Sequence, residues 1–418
     1  MSGFEAFDYR NGELFVEEVS LQRIAEKFGT PCYVYSQSVL TNAYRQFDAA
    51  FEKRDHLICY AVKANSNIAI LNLLAQLGSG FDIVSGGELQ RVIKAGGDAQ
   101  KIIFSGVGKN ANEMRMALNL NILCFNVESE IELMTLNHVA ESMGKIAPVS
   151  LRVNPDVDAK THPYISTGLK ENKFGIATDE AIRIYQSAQS YPHIRFTGID
   201  CHIGSQLTLL EPFIEATEKM LQLLQGLKNQ NINIEHLDLG GGLGIRYSDE
   251  KPPSIEEYVT TLCTLTQNMK QRLVIEPGRS LVGNSGILLT RIEYLKQTAA
   301  RNFAIVDAAM NDLIRPSLYD AYHDILPVKK NTVAAKSYEI VGPVCETGDF
   351  LGRDRKLSIV NGDLLAIMSA GAYGMSMSSN YNTRSRAAEI LVSGDQMHLI
   401  RQRETFDQMI AGEQIIAD

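Results

Sequence analysis

The stretch Leu57-Ile58-Cys59-Tyr60-Ala61-Val62-Lys63-Ala64-Asn65 passes from an apolar run into a polar turn, and the amphipathic segment Ala69–Leu77 follows it. The apolar run is typical of a buried β-strand, and the spacing of apolar residues in the later segment indicates a helix. A strand, a turn and a helix in this order form one β-α unit of a parallel sheet. Lys63 is therefore predicted to lie at the carboxyl end of a buried strand.

The same unit recurs along the chain between residues 35 and 280. Eight evenly matched strand-and-helix units are typical of a (β/α)₈ TIM barrel, and a doubly wound open sheet is the alternative. We predict an α/β fold with a TIM barrel as domain 35–280. The eight predicted strand cores are Leu57–Val62, Phe81–Val84, Lys101–Phe104, Ile122–Val127, Val149–Val153, Phe196–Asp200, His236–Leu239 and Leu273–Ile275. The clearest predicted helices are Ala69–Leu77, Glu88–Ala95 and Glu211–Leu227.

Beyond Ser280 the pattern changes to short strands joined by Gly, Pro and Asp turns, with little helical periodicity. This pattern predicts a mostly antiparallel β-domain. Near the N-terminus, Leu14–Glu17 and Pro31–Tyr35 are predicted to add strands to it, so the second domain comprises residues 1–34 and 281–418. Its other predicted strands are Ile287–Tyr294, Asn302–Asp307, Ser337–Val341 and Leu364–Met368.

Composition and charge narrow the classes of partner. The chain has 418 residues and a net charge of −9, which argues against nucleic acid as a main partner. No apolar stretch is long enough to span a bilayer, so we expect no membrane partner. Residues 1–10 include acidic side chains and lack an apolar core, unlike a signal peptide.

The six cysteines are scattered and show no metal-ligand spacing, so we predict no metal site. Five of them, Cys32, Cys59, Cys124, Cys201 and Cys263, stand in apolar or helical settings and are predicted to be buried, reduced thiols. Cys345 differs, because it stands in the polar, turn-rich segment 342–349. We predict a cytoplasmic location, where thiols stay reduced.

Chemically active side chains follow several of the predicted strands. Because the active sites of TIM barrels lie at the carboxyl ends of the strands, one mouth would gather these residues. Burial disfavours the ammonium form of a lysine, so Lys63 can become a neutral amine that attacks a carbonyl; a surface lysine at a strand end is the alternative. The residues at the strand ends are Lys63, Asp82, Ser85, Gly86, Gly87, Asn126, Arg152, Asn154, His202, Ser205, Gly240–Gly242, Glu276, Gly278 and Arg279.

Three successive glycines, Gly240–Gly242, let backbone N–H groups approach an anion, although tight turns also use glycine. Phosphate sites are frequent at the late strands of such barrels. An amine, a phosphate site and an acid together suggest pyridoxal 5'-phosphate, whose ring nitrogen needs a partner such as Glu276. His202 would lie flat on the ring; a histidine that serves only as a satisfied polar residue is the alternative.

These motifs resemble those of the fold-type III pyridoxal-phosphate decarboxylases, a family that acts on ornithine, arginine and diaminopimelate and shares its barrel with alanine racemase. The resemblance covers nearly the whole chain in order. It rests on Tyr60–Asn65, Phe81–Glu88, His202–Gln206, Gly240–Gly244, Glu276–Ser280 and Gly342–Asp349. Asp158–Tyr164, Lys173–Gly175, Asp312–Tyr319 and Ala372–Gly374 are similar to the diaminopimelate branch.

The resemblance implies a role for each candidate residue. Lys63 would bind the cofactor covalently, His202 would stack on its ring, and Glu276 would face its nitrogen. The phosphate region would be held by Ser205, Gly242, Gly278 and Arg279, with Tyr373 closing over it. Cys345, from the other subunit of a homodimer with shared active sites, would return a proton to the substrate, and Glu346 would contact the distal end of the substrate. The implied reaction converts meso-2,6-diaminopimelate to L-lysine and carbon dioxide, the last step of lysine biosynthesis.

Substrate choice has a separate physical argument. Diaminopimelate carries a second carboxylate and ammonium group, far from the reacting carbon. Arg315 and Arg279 can bind that carboxylate through charge-assisted bonds, Tyr319 can add a hydroxyl donor, and Glu346 can accept the ammonium. A site for ornithine needs no arginine there; an exposed loop arginine is the alternative for Arg315.

The sequence departs from the family pattern in residues 383–389, which lack the expected prolines, and at Cys32, where a larger aliphatic residue is usual. Neither change touches the implied chemistry. The main rival is a decarboxylase of ornithine, arginine or a carboxylated polyamine. A racemase would need two bases and often has an arginine at the ring nitrogen, so Glu276 argues against it. A catalytically dead regulator would be expected to lose Lys63 or Cys345, and both are present.

Overall fold

The computed structural model describes residues 6–158 and 173–416. The chain divides into two compact units. We call them the barrel unit, Thr41–Ile245 with Lys251–Leu281, and the β unit, Met1–Leu40 with Arg246–Glu250 and Val282–Asp418. The short segment Arg246–Glu250 groups with the β unit, which the predicted domain 35–280 did not anticipate.

The N-terminal residues form a small sheet and then enter the larger sheet of the β unit. Strands β1 to β3 pair in order, and the side chain of Ser20 accepts a hydrogen bond from Arg23 N–H to begin the following helix. Leu14–Glu17 was predicted to add a strand to the β-domain; it largely coincides with β2, the middle strand of this separate sheet within the β unit. The elements are β1 (Phe7–Arg10), β2 (Glu13–Val16), β3 (Val19–Ser20), α1 (Leu21–Phe28), β4 (Cys32–Ser36) and α2 (Gln37–Ala50).

Eight parallel strands close the barrel. Each pairs with its neighbour in chain order, and the last strand pairs with the first through Leu273 and His56. Closure removes both sheet edges, so the doubly wound alternative is wrong and the predicted TIM barrel is confirmed. The eight strands are β5 (His56–Ala61), β6 (Gly80–Ile83), β7 (Ile102–Phe104), β8 (Cys124–Val127), β9 (Ala147–Asn154), β11 (Ile194–Asp200), β12 (His236–Asp238) and β13 (Arg272–Ile275), and the two-residue β10 (Ile176–Ala177) pairs beside β9.

A helix follows each barrel strand. Polar residues in the intervening loops begin several of these helices, since the side chains of Asn67, Ser85, Asn110, Ser129 and Ser254 accept hydrogen bonds from N–H groups of the first turn. Such caps each stabilise a helix by about 1 kcal/mol. The helices are α3 (Ile68–Gln76), α4 (Gly86–Lys94), α5 (Ala111–Leu120), α6 (Glu130–Ser142), α7 (Thr178–Gln186), α8 (Glu211–Asn229), α9 (Ile255–Leu265) and α10 (Arg279–Val282).

The barrel interior is filled by buried apolar side chains. Leu57, Cys59, Ile103, Cys124 and Val274 form one buried cluster from five strand positions. Because all eight strands are parallel, their carboxyl ends open on the same side, and side chains at those ends share one mouth.

The β unit contains a nine-stranded, mostly antiparallel sheet, as predicted. Its long central strand β14 (Gly286–Gln297) pairs with three others, including β4 from the N-terminal segment. Apolar side chains from Val34, Ile287, Leu289 and Ile390 pack in one buried cluster. The remaining elements are β15 (Asn302–Val306), α11 (Arg315–Tyr319), β16 (Ile325–Pro327), β17 (Lys336–Val341), β18 (Phe350–Leu357), β19 (Leu364–Ile367), β20 (Ala388–Ser393), β21 (Gln396–Arg401) and α12 (Phe406–Ile410).

Among the described residues, no helix has both the length and the apolar character that crossing a bilayer requires.

Candidate active site

Lys63 lies just beyond β5, in a short 3₁₀ turn over Val62–Ala64. Its Nζ atom lies 2.6 Å from Oδ2 of Asp82 on the neighbouring strand β6. The lysine side chain is 37% exposed, whereas that of Asp82 is fully buried. Lys63 was predicted to be buried, and this prediction is wrong. Its amine is partly exposed and lies against the buried carboxylate of Asp82.

Asp82 has a second carboxylate oxygen. Its Oδ1 atom is buried and has no hydrogen-bond partner among the described residues. On the other side of the turn, Glu88 accepts a hydrogen bond from Val84 N–H at 2.7 Å. Burial raises the pKa of Glu88 to about 7, although the positive charge of Lys63 opposes the shift. The amine thus lies near two acidic groups, Asp82 and Glu88.

Three buried acids form a cluster at the ends of adjacent strands: Asp200 on β11, Asp238 on β12, and Glu276 just beyond β13. Each contributes an oxygen, and the three oxygens lie within 4.8 Å of one another. Asn126 Nδ2 donates to Glu276 Oε1 at 3.4 Å, and Gly240 N–H donates to Asp238 Oδ1 at 2.9 Å. Because the carboxyls are buried and close together, their charges interact strongly.

Burial dominates the protonation of this cluster. It raises the pKa of Asp238 to about 7, despite the hydrogen bond from Gly240. Burial, and then the charge of Asp238, raise the pKa of both Asp200 and Glu276 well above the ordinary value. Like charges this close do not all ionise at once, so the cluster as a whole retains protons near neutral pH.

Arg152 on β9 supplies the nearest fixed positive charge. Its Nη1 atom lies 3.1 Å from Glu128 Oε1 and its Nε atom 4.0 Å from Asp200 Oδ2, while its guanidinium lies 4.9 Å from the ring centre of Phe174. Burial alone would lower the pKa of Arg152. The negative charges around it, that of Glu128 foremost, have the larger effect and raise this pKa. Glu128 also accepts a hydrogen bond from Gly175 N–H at 3.2 Å, so one carboxylate anchors two segments.

His202 lies just beyond β11 at the mouth of the barrel. Its surface is partly exposed, and the ring is surrounded by protein atoms. Burial, and then the charges of Arg152 and Lys63, lower its pKa well below the ordinary value. Gly241 N–H lies 3.2 Å from His202 Nδ1, which therefore accepts a hydrogen bond. The ring is neutral, with its proton on Nε2.

The three glycines are packed too closely to tolerate a side chain. A Cβ atom on Gly240 would lie 2.5 Å from Cys201 O, one on Gly241 2.1 Å from Glu276 O, and one on Gly242 2.6 Å from Gly204 O. The N–H groups of Gly240 and Gly241 already donate to Asp238 and His202. Of the three N–H groups predicted to bind an anion, Gly242 N–H is the one that donates to no described residue. The run of glycines serves mainly to bring the ends of β11, β12 and β13 together.

Arg279 and Ser205 form the polar pair beside these glycines. Arg279 is 5% exposed, and its Nη2 atom donates to Ser205 Oγ at 3.2 Å. Gly278 directly precedes Arg279 and is buried. The barrel unit therefore gathers Lys63, His202, Ser205, Gly242, Glu276, Gly278 and Arg279 at the carboxyl ends of its strands.

The other predicted site residues belong to the β unit. Arg315 is buried in α11, and Tyr319 and Tyr373 are partly exposed. Cys345 and Glu346 are exposed, in a segment held by hydrogen bonds from Val344 N–H and Met310 N–H to Asp349. Ser317 of α11 donates to Gly348 O at 2.6 Å, which ties this segment to the helix of Arg315.

Two acids of the buried cluster escaped the sequence analysis: Asp200 and Asp238 were given no role. Each is the last residue of its strand, and both lay inside the predicted strand cores Phe196–Asp200 and His236–Leu239. The recurrence of an acid at the same place on neighbouring strands was the available signal. Among the thiols, Cys263 is only partly buried, unlike the prediction. The motif residues 159–164 lie outside the described residues.

Comparison with known proteins agrees with this geometry. The family model described as "Pyridoxal-dependent decarboxylase, pyridoxal binding domain" matches residues 37–283. Diaminopimelate decarboxylase of Pseudomonas aeruginosa is 58% identical over 412 residues, which cover 99% of each chain. The enzyme of the same name from Haemophilus influenzae is 55% identical over 98% of this chain and 99% of its own.

Solved structures match as well. Diaminopimelate decarboxylase from Helicobacter pylori, complexed with L-lysine, has a TM-score of 0.90 and 43% identity, covering 93% of this chain and 98% of its own. The enzyme from M. jannaschii, in co-complex with L-lysine, has a TM-score of 0.95 and 40% identity, covering 100% and 99%. The resemblance inferred from the motifs is confirmed. The chain belongs to the pyridoxal-dependent decarboxylase family, in its diaminopimelate decarboxylase branch.

Proposed function

We propose that the chain removes one carboxylate from meso-2,6-diaminopimelate, giving L-lysine and carbon dioxide as the last step of lysine biosynthesis. The observation that carries this proposal is the match, at 58% identity over 99% of both chains, to a diaminopimelate decarboxylase. The charged groups at the barrel mouth and in the β unit support it, because they supply the chemistry that each part of the reaction needs.

The residues of the barrel unit fit pyridoxal 5'-phosphate. Lys63 offers a partly exposed amine for covalent attachment, and the pair of buried Arg279 and partly exposed Ser205 suits a phosphate. Asp82 Oδ1, buried and without a partner among the described residues, is the kind of atom that a polar ligand satisfies. When bound, the cofactor accepts the electron pair that departing carbon dioxide leaves on the α-carbon. Gly242 and Gly278 would add to the phosphate site, with Tyr373 closing over it.

Glu276 would keep the ring nitrogen protonated. Asn126 orients this carboxyl, and the neighbouring acids Asp200 and Asp238 raise its affinity for a proton. On giving its proton to the ring nitrogen, Glu276 would become a carboxylate that balances the positive charge of the ring. His202, which is neutral, would lie flat against the ring without adding a competing charge.

Asp82 would hold the amine of Lys63 once the substrate has taken its place. A fixed partner limits the rotation of a long side chain, so the amine stays ready for the release of the product. At the distal end of the substrate, Arg315, Arg279 and Tyr319 would bind the second carboxylate, Glu346 would accept the ammonium, and Tyr373 would contact both substrate and cofactor.

Cys345 would return a proton to the α-carbon after carbon dioxide leaves. Its backbone N–H donates to Asn382 Oδ1 at 2.8 Å, which fixes the segment while the side chain stays exposed. An exposed thiol on an anchored segment suits a residue that serves the active site of another subunit. We therefore propose a homodimer with shared active sites. The thiols of this chain are unpaired, which suits a reducing, cytoplasmic location.

The direct test is to load the purified chain with pyridoxal 5'-phosphate and measure carbon dioxide release from diaminopimelate, ornithine and arginine. We expect release from diaminopimelate to exceed the others by orders of magnitude, because a buried arginine without its carboxylate partner costs binding energy. Arg315→Met should abolish this preference. Equal turnover of ornithine or arginine by the unmodified chain would reject the proposal in favour of a decarboxylase of another basic amino acid.

A further inference from the structure

We infer that His323 is a positioning residue for Arg315, and that together with Tyr247 it sets the recognition of the distal carboxylate. This inference rests on the proposed function, in which Arg315 binds that carboxylate. It adds two residues that no motif had singled out, and all of its contacts lie within the β unit.

His323 is fully buried and lies between a backbone carbonyl and the guanidinium. Its Nε2 atom is 2.9 Å from Arg315 Nη1, and its Nδ1 atom is 2.8 Å from Met368 O. Met368 directly follows strand β19, so the ring is attached to the central sheet of the β unit. The histidine thus links a substrate-binding side chain to a rigid part of the fold.

The two contacts determine the proton of the ring. A carbonyl oxygen only accepts, so His323 Nδ1 must carry the hydrogen. A guanidinium only donates, so Nε2 must be the acceptor. His323 is therefore neutral in one tautomer, and this tautomer presents a lone pair to Arg315. Such a bond directs one edge of the guanidinium toward the histidine and fixes the direction in which the other edge points.

Tyr247 holds the flat face of the same guanidinium. The centre of the Arg315 guanidinium lies 4.7 Å from the ring centre of Tyr247, and the rings of Tyr247 and His323 meet edge to face at 5.1 Å. Arg315 is only 6% exposed, so this cation–π contact is largely shielded from water and correspondingly strong. Stacking and a hydrogen bond in the plane together restrain the orientation of the planar group.

The turn that carries Tyr247 is itself braced. Glu250 accepts hydrogen bonds from Tyr247 N–H at 3.1 Å and from Ser248 N–H at 2.7 Å. This accounts for the grouping of Arg246–Glu250 with the β unit: the segment places an aromatic ring against an arginine of that unit. Arg315 is thereby held in one conformation before substrate arrives, which lowers the entropy cost of binding a carboxylate.

A matched set of variants separates positioning from general stability. His323→Asn removes the acceptor at Nε2 and keeps a donor near Met368 O, whereas His323→Gln places an amide oxygen close to the Nε2 position. For each holoenzyme we would measure kcat and KM for meso-diaminopimelate, and the Kd of L-lysine and of 1,5-diaminopentane. L-Lysine keeps the distal carboxylate of the substrate, and 1,5-diaminopentane lacks it.

For His323→Asn we expect KM and the Kd of L-lysine to rise in parallel by about 10- to 100-fold, the effect of losing a hydrogen bond to a charged group. The kcat, the Kd of 1,5-diaminopentane and the visible absorbance of the bound cofactor should change by less than about threefold, since these do not depend on the carboxylate contact. His323→Gln should recover most of the loss. In an Arg315→Met background, His323→Asn should have no further effect on KM, because His323 affects substrate binding only by orienting Arg315.

Should His323→Asn lose its cofactor absorbance, Tyr247→Leu carries the test, with an expected rise of about 3- to 10-fold in KM at constant kcat. The inference is overturned if a folded His323→Asn or Tyr247→Leu leaves KM and the Kd of L-lysine unchanged. It is also overturned if the binding of 1,5-diaminopentane falls as much as that of L-lysine. Failure of the unmodified enzyme to release carbon dioxide from diaminopimelate would instead reject the proposed function.

Discussion

Replacing Asp238 with asparagine tests the buried carboxyl cluster, because the amide keeps the shape of the side chain but cannot ionise. Asp238 is fully buried, and burial raises its pKa from 3.8 to about 7. An acid whose pKa is higher in the folded state binds its proton more tightly there. Its stabilising contribution is complete below pH 3.8 and is lost as the pH rises through 7.

The magnitude follows from these two pKa values. Each tenfold difference in proton affinity corresponds to about 1.4 kcal/mol, so the full change between strong acid and pH 8 is about 4 kcal/mol. Between pH 5 and pH 8 the same two values give a loss of about 2 to 3 kcal/mol in the free energy of unfolding. In the Asp238→Asn variant the amide oxygen can still accept from Gly240 N–H, so the variant should lack this loss without losing that bond.

The assay is denaturation of the cofactor-free chain by urea at pH 5, 6, 7 and 8. The chain has no tryptophan, so far-UV circular dichroism is the suitable probe. We expect Asp238→Asn to gain about 2 to 3 kcal/mol relative to the unmodified chain as the pH rises from 5 to 8. The exposed Asp249→Asn serves as the control and should show no such trend. A difference between Asp238→Asn and the unmodified chain that is constant with pH, or that falls, would refute the buried, proton-retaining cluster.

Three further predictions concern cofactor binding, the dimer and the glycines. Lys63→Ala should abolish the visible absorbance of bound pyridoxal 5'-phosphate in a spectrophotometric titration; a variant that keeps this absorbance contradicts the covalent role. Mixing inactive Lys63→Ala and Cys345→Ala chains should restore activity to about 25% of the unmodified level, because half of randomly formed dimers carry one intact site; no recovery after exchange is verified argues against shared sites. Gly241→Ala should destabilise by about 1 to 3 kcal/mol in urea, because its Cβ would lie 2.1 Å from Glu276 O. Gly226→Ala, which meets no atom within 4 Å inside α8, should instead stabilise by about 0.5 to 1 kcal/mol.

The barrel could be predicted because each strand is a short apolar run that ends in a polar turn. Leu57–Val62 differs from the observed strand β5 by one residue at each end, and Leu273–Ile275 differs from β13 by one residue at its start. Closure could be inferred from the number of units, since eight β-α units suit a complete ring. The N-terminal strands were harder to assign: alternation in Leu14–Glu17 predicts a strand but carries no information about which sheet it joins.

The location of the barrel candidates at the strand ends was predictable, but their electrostatics was not. Lys63 was expected to be buried but is partly exposed. It lies in the 3₁₀ turn over Val62–Ala64, which no residue pattern predicts. Asp200 and Asp238 act through proximity to Glu276, and closeness between separate strands is a property of the closed ring. Tyr247 and His323 were overlooked for the same reason, because 76 residues separate them along the chain and only the fold makes them neighbours.

Most of the residues proposed to hold the cofactor and most of those proposed to select the substrate belong to different compact units. The first group is locked into backbone contacts that exclude even a methyl group at Gly240–Gly242. The second includes exposed side chains such as Glu346, in a segment of the β unit. Selection acting on a duplicated gene could therefore redirect such a decarboxylase to another amino acid while leaving its coenzyme chemistry intact, and library design for new specificities should diversify Arg315, Tyr319 and Glu346 first.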